Sequence, residues 1–115
     1  MDQNRLIVVI TRNYSTALSV IRALGSEGCT IDLIFSCLNK QDADVVSASR
    51  FVRRCSVVTG RKSNQDTDRQ VLNRIRSYIG LREEKVLLFP TDDYSAMLLD
   101  RYREELDPYF LMPYI

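Results

Sequence analysis

Solid apolar runs alternate with segments of helical period along this chain. Leu6-Ile7-Val8-Val9-Ile10 is continuous and β-branched. That pattern predicts a strand covered on both faces, as parallel sheets require. A polar turn, Thr11 to Tyr14, follows. Ser15 is placed to cap a helix running to about Glu27, with Ala17, Val20, Ile21 and Leu24 on one face. Gly28 stands where a helix ends in a left-handed residue. Thr30 to Phe35 reads as a second strand, and Leu38 to Ser49 as a polar loop with at most one helical turn. The third strand is placed at Cys55–Val58, behind an arginine-rich lead-in that starts at Phe51.

Gly60 to Asp68 is linker-like in composition but too short to divide domains. Asp66 or Thr67 caps the next predicted helix, which runs to about Ile79 with Leu72, Ile75 and Ile79 as its apolar stripe and Gly80 at its end. Lys85–Phe89 is a fourth strand, stopped by Pro90. Thr91 or Asp92 then caps a helix to about Leu106, with Tyr94, Met97, Leu98 and Tyr102 at core spacing. The apolar tail from Phe110 to Ile115 is expected to pack as a last strand and to continue into a longer protein.

Strand, helix, strand, strand, helix, strand, helix is the order of βαβ units. The predicted fold is α/β: a three-layer, Rossmann-like domain over residues 1–115. Its mostly parallel sheet has four or five strands in the order 3-2-1-4, with helices on both faces. Strands one and four are then central, and the ligand crevice is expected at their carboxyl ends. Ile7, Val9, Leu33, Leu87 and Leu88 are expected to be buried.

A chain of 115 residues, 45% hydrophobic and 27% charged, suits one globular domain. The net charge of +1 gives no long-range field to gather nucleic acid or an anionic membrane, so neither is an expected partner. Three cysteines, with no CxxC pair, signal neither a disulfide framework nor a zinc knuckle. Cys29 and Cys55 are read as small core residues. No apolar stretch nears the roughly 20 residues of a membrane span, and a reducing cytoplasm is the expected compartment. The chain has no histidine, which removes Ser-His-Asp triads, Cys-His pairs and histidine-ligated metals.

The turn after the first strand, Thr11-Arg12-Asn13-Tyr14-Ser15, contains no glycine. It therefore lacks the close backbone approach of a GxGxxG dinucleotide site, and no GxxxxGK[ST] phosphate loop occurs elsewhere. Arg12, the Ser15 hydroxyl and the following helix start can still receive an anion, or Ser15 simply caps its own helix. Asp92 and Asp93 open the last helix at the same sheet edge. They suit an ammonium group or a cation, or a capping role alone.

Val86-Leu87-Leu88-Phe89-Pro90-Thr91-Asp92-Asp93, then Arg103-Glu104-Glu105-Leu106 and Leu111-Met112-Pro113, together with Ser49-Arg50-Phe51-Val52, carry a family resemblance. The chain resembles, over essentially its whole length, the N-terminal pre-ATP-grasp domain of ATP-grasp carboxylate–amine ligases, in the carbamoyl-phosphate-synthase-like group. The resemblance implies a cytoplasmic, nucleotide-binding, ATP- and magnesium-dependent ligase that activates a carboxylate as an acyl phosphate for attack by an amine. It implies that ATP and Mg²⁺ bind in a downstream ATP-grasp domain of the same chain. This fragment would hold no cofactor, metal or catalytic residue. Thr11, Arg12, Ser15, Asp92 and Asp93 would line the wall of the cleft that takes the small-molecule carboxylate or amine. The alternatives are a non-catalytic Rossmann-like ligand-binding or regulatory module, and the N-terminal half of a nucleotide-sugar transferase.

Overall fold

Six consecutive buried residues, Leu6 to Thr11, can be accommodated only where a strand has cover on both sides. In the computed structural model, which describes residues 5–12, 14–37, 50–59, 65–81 and 85–112, this strand is the middle of the sheet. The elements run β1 (Leu6–Thr11), α1 (Tyr14–Ser26), β2 (Thr30–Cys37), β3 (Val52–Thr59), α2 (Gln65–Arg76), β4 (Val86–Pro90), α3 (Asp93–Arg101), α4 (Arg103–Leu106) and β5 (Phe110–Leu111). The five strands are all parallel, in the order β3-β2-β1-β4-β5. This is a Rossmann-like α/β sheet. The predicted order holds, and Phe110–Leu111 adds the fifth strand beside Val86–Leu87.

Alternation along β1 splits the core in two. Leu6, Val8 and Ile10 join Val71, Leu72, Ile75 and Tyr78 of the α2 region, with Leu98, Leu99 and Leu106. Ile7 and Val9 join Ala17 and Ile21 of α1, with Ile31, Leu33 and Phe35. Among the described residues α1 is the one helix on that second face. The α1 helix packs on β1 and β2, and Leu87 of β4, to the side of it on that face, is half-buried, while Ile7, Val9, Leu33 and Leu88 are buried as expected. Two glycines serve α1. Gly28 takes φ 86° after its end, where Cys29 N–H donates to Leu24 O. A Cβ on Gly25 would lie 2.3 Å from the Phe51 ring, so only glycine lets the residue before β3 pack down on the helix.

Several local readings change. The arginine lead-in belongs to β3, which begins at Val52. In its pairing with β2, Ile31 faces Val52 and Asp32 faces Arg54, so Arg53 is an extra residue at a bulge. The bulge aims Arg53 at the buried Asp32 carboxylate, which accepts from Arg53 Nε at 2.9 Å and Nη2 at 2.7 Å. Tyr78 completes this lock by donating its hydroxyl to Asp32 Oδ2 at 2.7 Å. The α2 helix stops at Arg76 rather than Ile79. Tight turns from Tyr78 N–H to Ile75 O and from Ile79 N–H to Arg76 O swing Tyr78 inward and leave Ile79 exposed. Cys29 and Cys55 are only half-buried rather than core residues.

The last predicted helix is two. Tyr102, at φ −106° and ψ 22°, separates α3 from α4. The buried face of α3 is Ser95, Leu98 and Leu99, and Met97 is 62% exposed rather than core. The predicted loop over 38–49 and most of the linker-like stretch, 60–64, lie outside the described residues, as do the last three tail positions. The caps proposed for α1 and α2 move as well. The helices begin at Tyr14 and Gln65, so Ser15, Asp66 and Thr67 fall inside their first turns. No helix among the described residues is long and apolar enough to cross a membrane.

Candidate functional site

The strands β1 and β4 lie side by side, and the chain leaves them in opposite directions. From β1 it passes through α1 on one face to β2. From β4 it passes through α3 and α4 on the other face to β5. In open α/β sheets such a divergence, at the carboxyl ends of the strands, is the usual ligand position. The Thr11–Arg12 turn and the Thr91–Asp92 turn meet there.

Asp92 joins the two turns. It is the N-cap of α3 in extended backbone, and its Oδ1 accepts from Ser95 N–H at 2.8 Å. Its Oδ2 accepts from the Arg12 backbone N–H at 2.6 Å and, more weakly, from the Thr11 hydroxyl at 3.4 Å. The Thr91 hydroxyl donates to the Thr11 hydroxyl at 2.6 Å, and Thr91 N–H to Ile10 O at 3.1 Å. Both Asp92 oxygens are thus committed to holding β1 against the start of α3.

That tie places the Arg12 side chain. Its guanidinium lies over the Tyr94 ring, 4.3 Å from the centroid. The Tyr94 hydroxyl donates a short hydrogen bond to Asp68 Oδ1 in the first turn of α2, and Arg101 Nη1 donates to Asp68 Oδ2 at 3.0 Å. Burial, then the bond to Asp68, holds the Tyr94 phenol well above its ordinary pKa. It remains a neutral donor at physiological pH. Arg12 is therefore braced on an aromatic face that is itself anchored to α2, while its guanidinium makes no ion pair with a described residue.

Of the five sequence-predicted site residues, the structure brings Thr11, Arg12 and Asp92 into one hydrogen-bonded cluster. Asp93 is adjacent but exposed, and it lines a depression of about 430 Å³ with Ala96, Met97 and Asp100 on the outer side of α3. Ser15 is exposed in the first turn of α1. Thr91, Tyr94 and Asp68 belong to the cluster too. Sequence reasoning read Thr91 as a possible cap and Tyr94 as core; the linkage through Asp68 depends on α2 standing beside α3, which no local pattern reveals. Among the described residues, no group of three Cys, Asp or Glu side chains is gathered to hold a metal ion. No protein-family model matches the chain, and no curated protein or solved structure matches it.

Proposed function

We propose that this chain is the substrate-side, N-terminal domain of an ATP-dependent carboxylate–amine ligase of the ATP-grasp kind, inactive on its own. In this reading the crevice between β1 and β4 orients the anionic end of a small substrate. The observation that carries it is the Arg12 guanidinium, braced over Tyr94 at the point where the sheet's connections diverge. A guanidinium presents a planar fork of donors that matches a carboxylate. Thr11, Thr91 and Asp92 act as the frame that holds Arg12, and Asp93, next to Asp92 in the chain and exposed, is the carboxylate suited to an ammonium group. In this reading ATP and Mg²⁺ bind in a downstream ATP-grasp domain, which would supply the acyl phosphate.

The test uses the natural protein that carries this chain together with whatever its coding sequence adds beyond Ile115. ADP release should require a carboxylate, and hydroxylamine should trap the activated acyl group as a hydroxamate. If a panel of small carboxylates elicits neither ADP release nor hydroxamate, the reading fails and a non-catalytic binding module takes its place.

A further inference from the structure

One face of α2 carries Arg69, Leu72, Asn73 and Arg76 at i, i+3, i+4 and i+7. Opposite them stand Arg101 and Tyr102, where α3 gives way to α4. These six residues line a groove of about 430 Å³, within the roughly 300–1,000 Å³ of small-molecule sites. None of them is acidic, and only Arg101 is linked to the β1–β4 cluster, through Asp68. The partly buried Tyr102 supplies its apolar surface, and the buried Leu72 closes its floor.

Two of the three guanidinia are already set in place. Arg76 donates from Nε and Nη2 to Glu105 at 3.0 and 2.9 Å, and from Nη1 to Asn73 Oδ1 at 3.0 Å. Arg101 is held by Asp68. A guanidinium has five N–H donors, so both keep donors to spare. Arg69 is exposed and makes no hydrogen bond or ion pair with a described residue. Holding two long side chains beforehand removes part of the ordering cost of binding an anion. The three cations outnumber the two carboxylates that restrain them, which leaves the groove positive.

We infer that this groove binds a phosphorylated small molecule, with the phosphate on Arg69 and Arg101 and the organic part against the Tyr102 ring. The planar, bidentate face of Arg76 is taken by Glu105. The remaining donors approach from two helices, which suits a tetrahedral oxyanion with acceptors on several sides better than a flat carboxylate. The inference does not depend on the ligase reading.

The experiment is a titration of the isotope-labelled chain with phenyl phosphate, with inorganic phosphate, benzoate and phenol as separate arms. Phenyl phosphate should give saturable shifts at the Arg69 and Arg101 side chains and the Asn73 amide. Inorganic phosphate should bind more weakly and phenol not at all. Arg69→Ala and Arg101→Ala should each weaken phenyl phosphate about tenfold, as expected for one lost charge-assisted hydrogen bond. Arg22→Ala, on α1, should not change the affinity. Shifts that never saturate, benzoate binding as tightly as phenyl phosphate, equal weakening by Arg22→Ala, or shifts confined to Arg12 would each overturn the proposal. The last of these outcomes would assign the anion to the crevice instead.

Discussion

Replacing Asp92 with alanine should unfasten the β1 turn from the start of α3, and the cost can be worked from its bonds. Losing the cap on Ser95 N–H costs about 0.5–2 kcal/mol. Leaving the half-buried Arg12 N–H without its carboxylate costs about 1–3 kcal/mol. Water reaches part of the turn, so the sum is expected near 2–4 kcal/mol rather than at its upper limit. Asp92→Asn keeps one carbonyl oxygen but turns an amide NH₂ toward the second donor, and should fall between wild type and alanine. Urea unfolding gives the stability change from the midpoint at constant slope. Amide exchange gives its location, since the Arg12 and Ser95 amides should lose protection beyond the global change. A stability loss below about 0.5 kcal/mol, with Arg12 exchange unchanged, would show that Asp92 does not join the turns.

Leu88→Ala, in the middle of the sheet, should cost about 2–5 kcal/mol in urea unfolding; Leu87→Ala should cost clearly less, because Leu87 is half-buried, and equal losses would mean that Leu87 is packed as fully as Leu88. The Tyr78 and Tyr94 phenols are both held above the ordinary 10.0, first by burial and then by donation to Asp32 and Asp68. A raised folded pKa gives stability that is complete below the unfolded value and lost as pH climbs through and beyond it. Thermal midpoints should therefore fall as pH rises above about 10, and Tyr78→Phe should make the fall shallower; a flat profile in wild type would refute the buried phenol bonds. The Ser95 hydroxyl is fully buried and has no hydrogen-bond partner among the described residues. Ser95→Ala should thus be neutral or stabilising by about 1 kcal/mol, and a marked loss by calorimetry would show that the hydroxyl is used.

The sheet was legible because its signals are local and redundant. The Leu6–Ile10 and Val86–Phe89 runs can only be central strands, and Gly28 marks the end of α1 without reference to anything distant. Tertiary contacts decided the places where the reading shifted. Arg53 looks like surface charge until the bulge turns it onto Asp32, a carboxylate hidden inside an otherwise apolar strand. Ile79 is more apolar than its neighbour Tyr78, yet the tightening of the last turn after α2 turns Tyr78 inward, where its hydroxyl meets Asp32. Met97 fits the helical period, but the cap at Asp92 sets the phase of α3 and turns it outward. Thr11, Arg12 and Asp92 could be placed at one edge from strand order alone. The bracing of Arg12 by Tyr94 and Asp68 could not, because it joins three elements separated by long stretches of chain.

Steady-state kinetics of Arg12→Ala and Asp93→Asn in the natural full-length protein test the central claim most directly. In the proposed ligase reading both groups would bind substrate, away from the nucleotide, in ground and transition states alike. Each substitution should raise the KM for the carboxylate or amine about tenfold, the size of one charge-assisted contact, with the KM for ATP and kcat nearly unchanged. Wild-type kinetics in both variants, or a rise confined to the KM for ATP, would contradict the account and leave the two turns as a structural tie alone.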